Sequence, residues 1–524
     1  MIAPIVLIAS IASIVSIAPQ DSTVESRLYR LFQGGIEVGR EHYRRTPALL
    51  ERTATIPLLN LKLETRVESD ENGKLTRYSG RIHNASGDTL RLEFDGRLEG
   101  DSIILVNTAG AESRTRIIRA RPDGLIPAQS VSAVAEVVAR SMGRDTVFHF
   151  LPMGIDSLTP VTVRHSGDTA RVTVASLVAF MVAGDPTIRI PASNILVSAW
   201  NGVDTLPPMR GMRPPNLSYD APPGASYAAE HFRVVIRPSA GDTFSLAGTL
   251  SLPLRGRRPF PVAVLMSGSG QQDRDENLWP IMTDYRPFAQ IAERLAREGV
   301  AVLRYDDRTA GQSGGSTGGT TADYTDDVRQ LVEWVRARRD IDAGRVALVG
   351  HSEGGVMGPL LASRDSRIRA VVIMAGPSKK GSDVVRDQFT RPIQMAQGIT
   401  AEDRARMLAG VDSQVTDWIN ANPWTRWFGD HDPLATARQL RQPVLIQHGA
   451  LDRQVTVGQA DTLGAAIRAA GNRDVTVKIY PRLNHLFLPT DGDGSPVEYG
   501  SLRVQRVPDE VLDDLALWLS QRLR

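Results

Sequence analysis

Ser352 stands in GHSEGG (350–355), a single hydroxyl among glycines directly after the apolar run VALVG (346–350). A serine hydroxyl is a weak nucleophile until a base takes its proton. The base in turn needs a carboxylate to fix its tautomer and to stabilise the cation that forms. Three histidines follow Ser352 in the chain: His431, His448 and His485. His485 lies in PRLNHLFLP (481–489), straight after the strand-like run VTVKIY (475–480), and is the expected base. His431, beside Asp432 and Pro433, reads as a hydrogen-bonded loop residue, His448 as an organiser of its strand end, and His351 as pointing away from Ser352. The expected acid is Asp452, in the loop after PVLIQHG (443–449), one strand before the base. Its rivals, Asp432 and Asp461, precede that strand or fall inside a helix, and the competing reading of Asp452 is a helix cap near Thr456. Attack on a carbonyl leaves an oxyanion, which backbone N–H groups stabilise. The expected donors are Glu353, after the serine, and Ser269 in SGSGQQDRDE (267–276), with Gly270 as the fallback.

These residues need elements to hold them. Runs such as PVAVLMSGSG (261–270), VAVLRYDD (300–307), VALVG and AVVIMAG (370–376) are short, nearly all apolar and rich in Val and Ile, as strands buried on both faces are. Helical periods alternate with them at 286–299, 321–340, 455–471 and 508–523. This order predicts an open, mostly parallel α/β sheet, in which loops after the strands' carboxyl ends carry the site. GHSEGG then becomes a tight strand-to-helix turn. The long excursion at 377–442 is expected to be a helical cap inserted over the sheet edge. Trp279, Trp424 and Trp427 are candidates for pocket lining or for core, and Asp273, Arg274, Asp275, Asp306, Asp307 and Arg308 for ion pairs that brace the loops.

Upstream the texture differs. From 24 to 200 apolar and polar residues alternate between turn signals, as in LNLKLETRVES (59–69), which predicts a mainly antiparallel β domain. A helix over 128–142 is expected to cover its open face. The Pro- and Gly-rich stretch 201–228 reads as a linker, and the catalytic domain as 229–524. Residues 1–20 form an uncharged apolar run, expected to be a signal peptide or an N-terminal anchor near a membrane, so the protein is expected to be periplasmic or secreted.

The 61 basic and 59 acidic residues nearly cancel, and no basic stripe points to nucleic acid. Without cysteine there is no disulfide, thiolate nucleophile or Cys-bound zinc. There is no HExxH, no carboxylate cluster at metal spacing, no GxxxxGK[ST] and no GxGxxG with its later acid, so neither metal nor cofactor is expected.

Five segments in order, SGSGQQDRDE, RTAGQSGG, GHSEGG, LDRQV and LNHLFLP, resemble the α/β-hydrolase family, in particular bacterial serine-aminopeptidase-like (S33-type) hydrolases and esterases. The resemblance covers roughly 232–524 and implies Ser352, Asp452 and His485 as nucleophile, acid and base, with Ser269 and Glu353 as oxyanion donors. Gln271 stands where that family has proline, and Thr309 where it has glycine. The expected activity is hydrolysis of a small ester through an acyl-enzyme. The alternatives are a serine aminopeptidase or amidase, with Glu353, Asp430 or Asp432 holding a free amine, and an inactive hydrolase-fold binding protein. Glu353 itself, an acid beside a site that develops negative charge, is expected to turn away from the hole or to pair with an arginine.

Overall fold

The computed structural model describes residues 25–200, except 34–35, 47, 57–60, 72–74, 84–89, 101, 110–111, 120–124, 128–140, 152–158, 175–176, 183–186 and 191–194, and residues 218–524, except 240, 279–281, 283–284, 317 and 396–400. The apolar run at 1–20, Trp279, most of the stretch read as a linker and nearly all of the helix expected over 128–142 lie outside them. The chain forms two compact units, Met1–Pro215 with Thr390–Gln414 and Tyr499–Ser501, and Asn216–Phe389 with Val415–Glu498 and Leu502–Arg524.

The first unit is built on one sheet of fifteen strands, from Glu25–Gln33 to Ile195–Trp200. Two meanders join where the first strand pairs with the last. Pairing is antiparallel except between Leu125–Pro127 and Thr146–Leu151. The strand Leu61–Ser69 illustrates the alternation: Leu63, Thr65 and Val67 are buried, while Glu64, Arg66 and Glu68 take the other face. On that second face opposite charges pair across strands, directly opposite in Arg81 with Glu93 at 2.8 Å and diagonally in Arg77 with Asp95 at 2.7 Å. Such pairs are individually weak but disfavour a slipped register, which would set like charges or apolar groups opposite one another.

The second unit holds a sheet of eight strands: β1 (Tyr227–Ile236), β2 (Phe244–Pro253), β3 (Phe260–Met266), β4 (Ala301–Tyr305), β5 (Ile341–His351), β6 (Ile368–Met374), β7 (Val444–Gly449) and β8 (Val475–Tyr480). Their order is β1-β2-β4-β3-β5-β6-β7-β8, antiparallel through the first three and parallel thereafter. Helices α1 (Pro287–Arg297), α2 (Thr321–Arg336), α3 (Gly354–Ala362), α4 (Gly381–Met395), α5 (Ala401–Ala409), α6 (Val411–Ile419), α7 (Pro423–Asp430), α8 (Pro433–Ala437), α9 (Gly458–Ala469) and α10 (Asp509–Arg522) complete it, with α5 and part of α4 and α6 belonging to the first unit.

Apolar runs arise here because both faces of the sheet are covered. Val262, Val264, Val346 and Leu348 pack on one side with Val328, Leu331 and Ile467 from α2 and α9. Their neighbours Ala263, Leu265, Ala347 and Val349 pack on the other with Ile291, Leu295, Leu515 and Leu519 from α1 and α10. A strand between two cores has no solvent face for polar residues. Helices α4 to α8 form the insertion between β6 and β7 that the sequence predicts as a cap.

Candidate active site

β5 runs into α3 through a two-residue turn that contains Ser352, whose φ of 55° is left-handed. An L-residue adopts that conformation at a cost of about 1 to 2 kcal/mol. It is held by a bond from Ser352 N to Met374 O at 2.9 Å and one from Gly355 N to Ser352 O at 2.9 Å. The flanking glycines are steric requirements. A Cβ on Gly350 would come within 1.9 Å of Gly354 O, and one on Gly354 within 2.2 Å of Met266 O. Close packing of helix against strands brings the serine beside the loop after β3, where a Cβ on Gly268 would lie 3.2 Å from Ser352 Cβ.

Asp452 and His485 leave adjacent strands, and backbone bonds from Ala450 N to Tyr480 O and Leu451 N to Leu483 O, both 2.9 Å, lace their loops together. His485 Nδ1 donates to Asp452 Oδ2 at 2.7 Å, with both side chains buried. His448 Nε2 lies 3.1 Å from that oxygen, and Oδ1 accepts from the N–H groups of Gln454 and Val455 at 2.8 Å. Burial pushes this carboxyl up, but the charge of His485 and the bonds from His448 and His485 outweigh it and hold it well below the usual range. For His485, burial outweighs the pull of Asp452 and lowers the imidazole below its ordinary value. Nδ1 is committed to Asp452, so the ring nitrogen left free to accept a proton is Nε2. Among the described residues no hydrogen bond joins Ser352 to His485; His485 Nδ1 bonds Asp452 and its backbone oxygen faces His351. Asn484 shapes the base's loop, its Oδ1 accepting from Leu486 N at 3.0 Å and Leu488 N at 3.1 Å.

The loops after β3 and β4 are anchored rather than loose. Arg274 makes a bidentate pair with Asp306 at 3.0 and 2.7 Å, Arg304 and Arg286 pair with Asp275, and Arg308 pairs with Asp327. Asp273 takes the hydroxyl of Tyr219 at 2.9 Å, and Asp307 takes Ser267 Oγ at 2.8 Å and Gln272 N at 3.0 Å. Burial pushes the Asp307 carboxyl well up. Among the described residues the backbone N–H groups of Ser269, Gly270 and Glu353 have no acceptor. Glu353 pairs with no arginine, contrary to one of the two expectations for it. Its buried Oε1 accepts from Thr321 Oγ1 at 2.6 Å and Trp424 Nε1 at 2.8 Å, and Ser269 also bonds its side chain. Burial pushes this carboxyl up, and those bonds offset the shift only in part. Capping boxes at Thr320 and Asn422 fix the starts of α2 and α7, and so the places of Thr321 and Trp424.

The rival residues are occupied elsewhere. His431 stacks on Trp427 at 4.5 Å, Asp432 caps α8, and Asp461 sits in the first turn of α9. His448 lies at its strand end with Nε2 also on Val455 O at 2.8 Å, so the acid has a second histidine partner that its sequence neighbourhood gives no reason to expect. Sequence reasoning also passed over Glu276, the last residue of the DRDE run, whose Oε1 lies 2.7 Å from His351 Nδ1. Among the described residues no group of three or more His, Asp or Glu is placed to hold a metal, and no helix is long and apolar enough to cross a membrane.

A family model described as serine aminopeptidase, S33, matches residues 282–438, a span that includes Ser352 and stops short of Asp452 and His485. Among curated proteins, esterase EstD of Thermotoga maritima is 30% identical over 281 residues, 52% of this chain and 65% of that protein. Among solved structures, the esterase Pf2001 of Pyrococcus furiosus matches 60% of this chain and 100% of its own at 16% identity and a TM-score of 0.39. Est1E of Butyrivibrio proteoclasticus, solved with ferulic acid bound, matches 55% of this chain and 99% of its own at 15% identity and a TM-score of 0.37.

Proposed function

From the premise that the second unit is an α/β-hydrolase of esterase-like fold, we propose that the protein is a serine carboxylesterase. Ser352 attacks the ester carbonyl while His485 Nε2 takes its proton. The tetrahedral oxyanion is held by the N–H groups of Ser269 and Glu353, Gly270 standing in reserve. His485 then protonates the departing alcohol, and water cleaves the acyl-enzyme by the same route. Asp452 keeps the imidazole in the Nδ1–H tautomer and stabilises its cation. The observation that carries this reading is the buried 2.7 Å bond between Asp452 and His485, at strand ends next to a serine with φ of 55°.

Ester rather than amide is favoured because two of the three carboxylates considered for a free α-amine are already engaged. Glu353 is engaged by Thr321, Trp424 and Ser269, and Asp432 by the amides of Leu434 and Ala435. A panel of short p-nitrophenyl esters beside aminoacyl p-nitroanilides tests this. Turnover of the anilides with inert esters would replace the esterase by an aminopeptidase. The apolar start at 1–20 supports export, which signal-peptide cleavage in a periplasmic fraction would establish.

A further inference from the structure

Two buried ionisable side chains beside the nucleophile have no place in the acyl-transfer cycle. Glu276, in the loop after β3, and His351, the residue before Ser352, are 3% and 5% exposed. Glu276 Oε1 accepts from Gly268 N at 2.8 Å and faces His351 Nδ1 at 2.7 Å. On the far side of the ring, His351 Nε2 lies 3.0 Å from the backbone oxygen of His485. A carbonyl only accepts, so Nε2 must carry a proton. Oε1 already accepts from an amide, so Nδ1 is placed to donate as well. The ring is therefore held as an imidazolium against a carboxylate. Burial pushes it down, but the charge and hydrogen bond of Glu276 and the carbonyl of His485 carry it above the ordinary imidazole value. With Nε2 committed to that carbonyl, His351 has no free nitrogen for Ser352.

We propose that Glu276 and His351 form a clamp between the two halves of the catalytic machinery, with one end on the peptide of Gly268 and the other on the backbone of His485. The inference rests on the reading of Ser352 and His485 given above. Fixing Gly268 N orients the next amide along the chain, that of Ser269, toward the oxyanion. Fixing the carbonyl of His485 sets where its ring stands. Both are positioning roles, since neither side chain touches the reacting atoms. The clamp also places a cation 4.9 Å, ring to ring, from the general base. The charged or titratable groups around His485 are then Asp452 and His448 from β7 and its loop, His351 from β5, and, behind it, Glu276. Asp452 favours protonation of His485, and the cation of His351 opposes it.

Two variants separate charge from geometry. In Glu276→Gln the amide oxygen in the place of Oε1 still accepts from Gly268 N, but the negative charge that favours the His351 cation is gone, so the ring becomes neutral while Nε2 still donates. Loss of the cation raises the His485 pKa, and the acid limb of kcat/KM moves up by about half a unit to one unit. Glu276→Ala frees both ends, and kcat falls about 100-fold, as for loss of an oxyanion donor, with KM nearly unchanged. Each variant is measured beside a fluorophosphonate titration of active serine, so that rates refer to folded sites. An unmoved acid limb in Glu276→Gln, together with a wild-type kcat per labelled site in Glu276→Ala, overturns the clamp. If the wild-type enzyme is unlabelled at Ser352, the esterase reading fails and the clamp with it. If wild type labels and only the Glu276 variants behave as wild type, the clamp alone fails.

Discussion

Replacing Asp452 by Asn removes one negative charge and changes few atoms, yet it should stop turnover. The carboxylate accepts three hydrogen bonds, two from backbone N–H groups on Oδ1 and one from His485 on Oδ2, and His448 Nε2 lies 3.1 Å from Oδ2. An asparagine that keeps its oxygen toward the amides of Gln454 and Val455 must turn its NH₂ toward both rings. His485 can accept that N–H only at Nδ1, which shifts its proton to Nε2 and leaves no base for Ser352. A wrong tautomer of this kind lowers kcat by about 10⁴, or about 5.5 kcal/mol of transition-state stabilisation. His448 cannot adapt, because its Nε2 must donate to Val455 O at 2.8 Å, so the new N–H faces another donor inside the core. Leaving buried donors unpaired costs about 1 to 3 kcal/mol, which urea denaturation would register. Steady-state hydrolysis of a short p-nitrophenyl ester measures the first effect, with KM expected to change little. A kcat loss under tenfold, or an equal loss in Asp432→Asn or Asp461→Asn, would refute the assignment of the acid.

Other outcomes follow from the same geometry. Thr309, where the resembled family has glycine, has a φ of 65°, and its N–H is held by Gly314 O at 3.0 Å. Thr309→Gly removes about 1 to 2 kcal/mol of left-handed strain and adds about 0.5 to 1 kcal/mol of unfolded-state entropy, so urea unfolding should show a gain of about 0.5 to 1 kcal/mol. Gly354→Ala sets a methyl against the backbone oxygen of Met266, which cannot yield without moving β3, and should cost about 3 kcal/mol or more by the same measurement. Because the base must be neutral and its pKa is lowered, kcat/KM should rise with pH along a limb centred below the ordinary imidazole value and stay flat above neutrality. An acid limb above pH 7 would contradict that direction.

Much of the second unit was legible because its physics is local. A strand covered on both faces has to be mostly apolar, as VALVG, AVVIMAG and the VLI of PVLIQHG are. Those strands in turn fixed which loops share an edge, and so singled out Asp452 and His485 from their rivals. Glu276 was hidden in DRDE because its three neighbours have local work as ion-pair and loop partners, and its own partner lies 75 residues away on β5. His351 read as turned from the serine, and it is, but sequence gives no sign of what it turns toward. Glu353 was expected to turn away from the hole or to pair with an arginine, whereas its partners come from α2, α7 and the β3 loop, three elements whose meeting only tertiary packing decides. In the first unit, alternation announced strands but not their pairing. That the first strand lies beside the last, and that one pair is parallel, depends on long-range register that no window of sequence contains.

The central claim is that Ser352 is the nucleophile. Incubation with a fluorophosphonate, followed by intact-mass measurement and peptide mapping, tests it most directly. The account expects one adduct per chain, on Ser352, absent from Ser352→Ala and retained in Ser313→Ala. An adduct on another serine, or none on folded wild-type protein under conditions that label other serine hydrolases, would contradict it.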